Sequence, residues 1–246
     1  MRRCSVTRDI EIVRGDVKDY HRLSVFHYRR GGPAAFAGVY SMKKSNVTVG
    51  VIVYTMPSMG CELRNIATGG MFEGLDRKSR LKMINRNIRC ISRVIIEPRF
   101  RGLGLAKRLV AETMPLMNVP VIEAMAVMGN VHPFFERAGM KAYRGPVPAR
   151  CAQLTEALSL VGIEEDELIE PRCVQAKLDS LTDEEVDFIE AQVQQFLASY
   201  GRSSAVRRHF REDIPAGLKR TRFILSKLTA RPVYYIWFNP QMKVTL

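Results

Sequence analysis

Apolar and polar positions alternate over residues 9–14, a period that predicts a short strand. The β-branched run Thr48–Tyr54 and the stretches 35–42, 88–97, 119–128 and 140–143 read as further strands. Between them the apolar spacing lengthens to three and four. Val17, Tyr20, Leu23 and Phe26 predict a helix over 16–28. Leu105 and Leu109, with Ala106, Val110 and Met114 on the adjoining stripe, predict another over 104–116. Ser45-Asn46 reads as the turn of a hairpin. Residues 55–87 contain Pro57, Gly60, Gly69, Gly70 and Gly74 and read as a long loop carrying one helix from Arg77 to Asn85; loops of that length are often functional. A short helix over 133–138 ends at Gly139.

Gly145-Pro146-Val147-Pro148 marks a boundary, and the pattern beyond it is mainly helical. One helix spans 149–161 and stops at Gly162. Thr182 and Glu185 form a capping box that opens a second, with Val186, Ile189, Val193, Phe196 and Leu197 on one side, ending near Gly201. A third spans 214–228, and Val233–Phe238 is aromatic and β-prone. This order predicts an α/β (α+β) protein. Residues 1–148 form a mixed sheet with flanking helices, and residues 149–246 form a helical extension with a terminal strand.

With 46% apolar residues the chain can bury a core, and no apolar run approaches the length of a membrane span. The first 13 residues are interrupted by Arg2, Arg3, Arg8, Asp9 and Glu11, which argues against a secretory signal. Five scattered cysteines (Cys4, Cys61, Cys90, Cys151, Cys173) and four scattered histidines show no zinc spacing. They predict reduced thiols, a cytoplasmic setting and no metal. Charge changes the picture more. Residues 1–149 carry 25 Lys/Arg against 11 Asp/Glu, residues 150–190 carry 3 against 12, and residues 191–246 carry 10 against 2. The basic parts suit a polyanionic partner, DNA or RNA first and a phosphate-bearing cofactor second. The structural alternative is neutralisation by the acidic segment of the same molecule.

The stretch Val94-Ile95-Ile96-Glu97-Pro98-Arg99-Phe100-Arg101-Gly102-Leu103-Gly104-Leu105-Ala106 carries the chemistry. A strand runs through a basic, glycine-containing turn straight into a helix. Unpaired amides at such a helix start, together with the helix dipole, make an anion site that a diphosphate would fit. Gly102 and Gly104 let the backbone approach, and Arg99 and Arg101 add charge. There is no Gly-Lys-Ser/Thr and no Gly-x-Gly-x-x-Gly, so neither a P-loop nor a dinucleotide fingerprint is present.

Arg101-Gly102-Leu103-Gly104-Leu105-Ala106, followed about 30 residues later by Phe134-Phe135-Glu136-Arg137-Ala138-Gly139-Met140, resembles the GNAT superfamily of N-acyltransferases over roughly residues 8–145. The resemblance implies a mixed, twisted sheet whose fourth and fifth strands splay apart to admit the pantetheine arm of acetyl-CoA or another acyl-CoA. Backbone groups near Val94 and Ile96 would bind pantetheine, and the amides of Arg101, Gly102, Leu103, Gly104, Leu105 and Ala106 would hold the diphosphate. Asn130 is similar to a pantetheine-contacting asparagine of the family, and Phe134 would adjoin the cofactor. Phe26-His27-Tyr28-Arg29, Cys90-Ile91-Ser92-Arg93-Val94 and the run from Met128 to Met140 resemble the branch often fused to ABC-type ATPases, with some similarity to phage Mom-like proteins that modify DNA.

Phe135 occupies the position of the tyrosine that many members use as general acid, and Asn87, Ile88 and Arg89 stand where some carry a carboxylate base. The candidates for acid–base work are therefore Glu123, His27, Tyr28 and His132, with Tyr143 a replacement for the missing acid. Glu123 has a paired structural role as its alternative, and His27, Tyr28 and His132 have capping, core or surface roles as theirs. By the same resemblance Arg93 and Arg89 would lie beside the acceptor side of the cleft, where arginines suit an anionic acceptor. The expected activity is transfer of an acyl group to an amine, on a nucleic acid or another anionic molecule. The rival is a catalytically degenerate nucleic-acid-binding or Mom-like DNA-modification protein, and the extension could mediate a homodimer.

Overall fold

The computed structural model describes residues 6–27, 31–33, 35–200, 217–229 and 232–245, without the side chains of Met128, Asn130, Ser199 and Tyr200. The chain divides into two units, Met1–Arg144 with Pro232–Leu246, and Gly145–Arg231.

The first unit is built on a mixed seven-stranded sheet. Its elements are β1 (Ile10–Arg14), α1 (Val17–Ser24), β2 (Phe36–Lys44), β3 (Val47–Thr55), α2 (Glu62–Ala67), α3 (Arg77–Asn87), β4 (Ile88–Ile96), α4 (Leu105–Thr113), β5 (Val121–Ala126), α5 (Phe134–Arg137), β6 (Lys141–Tyr143) and, after the second unit, β7 (Val233–Phe238). The strands lie in the order β1-β2-β3-β4-β5-β7-β6. Only β4 and β5 run parallel; every other neighbouring pair is antiparallel.

Local chemistry explains the joints. Ser45 and Asn46 both adopt left-handed backbone, with φ of 47° and 64°. That is the turn a two-residue hairpin needs to match the twist of its strands. Asp16 caps α1, accepting from the amides of Lys18 at 2.8 Å and Asp19 at 3.0 Å. Asp19 in turn accepts from Thr48 Oγ1 at 2.7 Å and Ser41 Oγ at 2.9 Å, which ties α1 to the β2–β3 hairpin. Burial alone would raise the Asp19 carboxyl, but these hydroxyls, the Asp16 amide and Lys43 outweigh it and hold the group below its ordinary value of 3.8. A carboxyl lowered on folding stabilises above its unfolded value and loses that contribution as pH falls through the folded one. Acid titration followed by circular dichroism should therefore show unfolding below about pH 4, and Asp19→Asn should flatten that dependence.

Two layers cover the sheet. On one face Leu105, Leu109 and Val110 of α4 and Phe135 of α5 pack against Tyr54, Ile91, Ile122, Ala124 and Tyr235. On the other, Tyr20 and Leu23 of α1 pack on Val39, Val51, Val53 and Ile95. Farther along that second face, Met83 and Ile84 of α3 pack on Ile88, Val121, Tyr234 and Ile236.

The second unit contains α6 (Ala149–Leu160), α7 (Pro171–Leu178), α8 (Asp183–Tyr200) and α9 (Leu218–Leu228). Leu154, Leu158, Val174, Ile189, Val193, Phe196, Ile224 and Leu225 form its core. Arg220 pairs with Glu190 through two bonds of 2.8 and 2.5 Å, joining α9 to α8. The acidic segment thus belongs largely to this unit.

The division corrects the expected arrangement of residues 149–246 as one extension. Residues 232–245 return to the first unit, and the helices are an insertion between β6 and β7. The reason is that β5 carries hydrogen-bonding edges on both sides, and β7 pairs with it from Val121↔Phe238 to Ala126↔Val233. Side chains on both faces of β7 are then buried, which its aromatic, β-branched sequence requires. No described helix is long and apolar enough to cross a membrane.

Candidate functional site

β4 changes neighbours midway. It pairs with β5 only from Ile88↔Val121 to Ile91↔Ala124. On its other side it stays paired with β3 as far as Ile96↔Gly50. Between Ile91 and Arg93 the β3 register slips, leaving Ser92 as an extra residue on β4. The Ser92 hydroxyl lies 3.4 Å from the carbonyl of Val53. Bulges end pairing and re-aim side chains. This one coincides with the end of the β4–β5 ladder, so the two parallel strands part there.

Past the split, Val94 packs on the α4 side while Ile95 packs on the α1 side. Alternation along the strand puts Arg93 on the α1 side with Ile95. The split is thus approached from two faces, one bearing the turn before α4 and the other bearing Arg93.

The turn has the predicted form. Gly102 and Gly104 have φ of 77° and 74°, the left-handed region that favours glycine. Gly104 is the N-cap of α4, and no side chain among the described residues caps the helix. The Arg101 amide, assigned to the diphosphate by the resemblance, instead donates to Pro98 O at 3.2 Å, and among the described residues the next backbone amide to find an acceptor is that of Arg108, on Gly104 O at 3.1 Å. The amides of Gly102 through Lys107 therefore remain available to an anion, as the start of a helix provides.

The two arginines of the turn behave differently from a pair of anion ligands. Arg101 folds back: its Nε donates to Ile96 O at 3.0 Å and its Nη2 to Phe26 O at 3.1 Å. It braces the turn against the end of α1 and occupies the Ile96 carbonyl that the resemblance would give to pantetheine. Arg99 is exposed and its Nε donates to Glu97 at 2.5 Å.

Glu123, the first acid–base candidate, is fixed in a buried ion pair. Arg64 of α2 donates from Nε to Oε2 at 2.8 Å and from Nη2 to Oε1 at 2.7 Å, and Tyr234 donates to Oε2 at 2.9 Å. Arg64 also donates to Met59 O at 3.2 Å. Arg64 and Glu123 are only 1% and 4% exposed. A carboxylate clamped in this way is a structural tie between α2, β5 and β7, not a base open to an incoming amine. Burial, then the charge of Glu123 and its hydrogen bond, raise the Tyr234 hydroxyl. Burial and the same carboxylate push the Cys90 thiol, opposite Glu123 in register, up to about 12. Cys61 is raised as well, by burial first. Both thiols stay protonated near neutral pH and are poor nucleophiles.

The remaining candidates do not converge on Glu123. His27 follows α1, its amide donating to Ser24 O at 3.1 Å, and the Tyr28 that completes its motif lies outside the described residues. His132 is exposed and precedes α5, its carbonyl accepting from the amide of Phe134 at 2.9 Å. Asn130 is in the turn after β5, and its side chain lies outside the description. Tyr143 is in β6, half-buried. Phe135 is buried against Phe134 and Tyr235, with ring centroids 4.3 and 5.0 Å away.

Arg89 and Arg93 separate likewise. Arg89 Nη1 donates to Asn85 O at 2.6 Å and Ile88 O at 2.7 Å, closing the end of α3. Asn87 is buried and structural: its amide donates to Thr245 O at 2.8 Å while its oxygen accepts from the Thr245 amide at 2.8 Å. Arg93 instead lines a depression of about 530 Å³ with Ser92, Thr55, Met56 and Gly31.

No family model and no curated protein matches this chain. Among solved structures it is similar to a polyamine N-acetyltransferase of Drosophila melanogaster, at 14% identity and a TM-score of 0.34, covering 55% of this chain and 86% of that one. It is similar to the AHL synthase LasI at 17% identity and a TM-score of 0.33, covering 56% and 82%. The tandem GNAT protein of the clavulanic acid biosynthesis pathway aligns at 12% identity and a TM-score of 0.36, covering 78% and 67%.

Sequence reading missed Arg64, Tyr234 and the Ser92 bulge. A single acid inside the apolar strand Val121–Ala126 signals a buried basic partner, but nothing in the loop-rich stretch singles out Arg64 for the role. Gly129 was also passed over. A Cβ placed there would lie 2.7 Å from the Tyr235 hydroxyl and 2.9 Å from Val233 Cβ. Gly129→Ala should destabilise by about 1–3 kcal/mol, measured by urea unfolding.

Proposed function

We propose that the chain is an acyl-CoA-dependent N-acyltransferase of the GNAT type. The observation that carries this reading is the parting of β4 and β5 at the Ser92 bulge, with a glycine turn and uncapped helix start directly downstream. The free amides of Gly102–Lys107 suit the diphosphate. Strand backbone beyond Ile91 has lost its β5 partner and suits an amide-bearing arm. The bound acyl-CoA would supply a thioester carbonyl and a thiolate leaving group.

The chain's own residues would position and exclude. α4 and α5 cover one side of the split, and Phe134, half-buried beside Phe135, would wall the cofactor side. Strand amides near Val94 suit polarisation of a carbonyl in the manner of an oxyanion hole. With Cys90 and Cys61 protonated, direct attack by an amine is favoured over a covalent enzyme intermediate: the N–C bond forms, C–S breaks, and the ammonium proton leaves as the thiolate is protonated. His27 and His132 remain candidates for carrying those protons, because Glu123 is held by Arg64.

The test is titration of the purified chain with acetyl-CoA by calorimetry and thermal unfolding. A ligand at a hundred times its dissociation constant stabilises by about 2.7 kcal/mol, which for this size raises Tm by roughly 5–10 °C. No shift at millimolar acetyl-CoA would retire the reading.

A second reading has an observation of its own. Arg77, Lys78, Lys82 and Arg86 of α3 are exposed, and no described acid pairs with them. This face suits a polyanion such as DNA or RNA. Together with the missing hydroxyl at Phe135 it favours a catalytically degenerate nucleic-acid-binding or Mom-like DNA-modification protein. Salt-dependent binding of DNA or RNA without an acetyl-CoA response would select it.

A further inference from the structure

Arg93 is 9% exposed. Its Nη1 donates to Ser92 O at 2.7 Å and its Nη2 to Gly31 O at 3.0 Å. Its Nε is buried with no hydrogen-bond partner among the described residues. No carboxylate among the described residues pairs with it. A guanidinium offers five N–H donors and stays charged at any physiological pH, so backbone carbonyls answer only part of its capacity. Burying a cation without a counter-charge is costly. The contrast with Arg64 is direct, since that guanidinium, buried to a similar degree, has Glu123 on two of its nitrogens.

The depression that Arg93 lines holds about 530 Å³ and has no acidic residue among the described residues of its wall. That volume is in the range of small-ligand sites. Its wall joins the Gly31–Pro33 segment, the end of β3 and the first two residues of β4 beyond its pairing with β5. Arg93 enters it from the face opposite α4, so a molecule held by Arg93 would approach the split from the side away from the glycine turn.

We propose that this pocket is the acceptor site, and that Arg93 selects a small amine carrying an oxyanion, a carboxylate or a phosphate, as the molecule to be acylated. The inference deepens the N-acyltransferase reading and rests on it for the reaction, while the anion site itself stands on Arg93 and the pocket. The oxyanion supplies the counter-charge that the fold withholds. The amine then reaches the parted strands, with the acid group held behind it. A neutral amine lacks the anchor.

The experiment separates the two claims. Acetate and inorganic phosphate are titrated into the full chain, with and without acetyl-CoA, and followed by calorimetry and by the Arg93 Nε–H resonance, assigned by its loss in Arg93→Lys. The same titrations are repeated on Arg93→Met. Saturable binding of at least one anion that shifts this resonance, weakened tenfold or more in Arg93→Met, with acetyl-CoA binding unchanged, is the expected result. Acetate alone or phosphate alone assigns the acid group. Turnover is then compared for β-alanine, O-phosphoethanolamine and ethylamine by release of free thiol. An acid-bearing amine should exceed ethylamine at least tenfold in kcat/KM in the native chain, and the gap should close in Arg93→Met. Anion binding indifferent to Arg93, no anion binding in the native chain, or turnover highest for ethylamine overturns the proposal. If acetyl-CoA fails to bind while the Arg93 anion site persists, the acyltransferase reading falls and the anion site remains. If Arg93→Met does not fold, the Nε titration in the native chain still decides.

Discussion

Glu123→Ala should lower the unfolding free energy by about 3–5 kcal/mol, the largest single-site loss expected in the first unit. The substitution removes one partner of a pair taken almost wholly out of water, leaving the Arg64 guanidinium charged and buried. It also strips Tyr234 of its acceptor. Glu123→Gln keeps the size and one acceptor oxygen but no charge, and should fall between native and alanine. Removing both charges together, as Arg64→Met with Glu123→Leu, should recover much of the loss, because buried pairs seldom outperform well-packed apolar side chains. Urea unfolding of the native chain, Arg64→Met, Glu123→Leu and their double variant, analysed as a double-mutant cycle, measures the coupling, with Glu123→Ala and Glu123→Gln unfolded alongside. A loss below about 1 kcal/mol for Glu123→Ala would mean that the pair is hydrated and Glu123 is open to proton transfer after all.

The second large effect concerns the turn before α4. Gly104→Asp should abolish acetyl-CoA binding, because it places a carboxylate at the N-cap beside the free amides. The side chain itself has room, since a Cβ at Gly104 meets nothing within 4 Å. The backbone there has a φ of 74°, which Asp and Asn tolerate better than other residues. Gly104→Asn is therefore the control, carrying the same strain and a similar shape without charge. Retained binding in the Asn variant and lost binding in the Asp variant, at equal Tm without ligand, would tie the effect to the anion. Equal binding by both would remove the diphosphate from this turn.

Much of the first unit was legible because its elements follow simple periods. The hairpin at Ser45-Asn46, the strand entering β4 and the α4 stripe all depend on neighbours in sequence. The glycine turn was legible for the same reason, since positive φ at Gly102 and Gly104 is a local demand. What stayed hidden depends on partners far apart. Glu123 reads as a tuned base until Arg64, 59 residues away, is seen on it. Asn87 reads as the site of a missing carboxylate until Thr245 is seen on its amide. Arg101 reads as an anion ligand until its donors are seen on Ile96 and Phe26. α2 escaped notice because its six residues, between glycine-rich flanks, show too little periodicity.

The place of β7 bears on how the molecule is made. β5 and β6 leave the ribosome well before the strand that joins them, and the whole of Gly145–Arg231 is synthesised in between. At about 5–20 residues per second that interval lasts roughly 4–17 s. Through it, β5 has an unsatisfied edge, and the Arg64–Glu123 pair lacks the Tyr234 hydroxyl. Nascent chains paused in this window would expose a β-edge of the kind that recruits chaperones or other chains. The helical unit has all its strandless core in hand by Leu228 and can fold first. The inserted unit can therefore complete its core while the earlier strands wait, with the sheet closed last by β7.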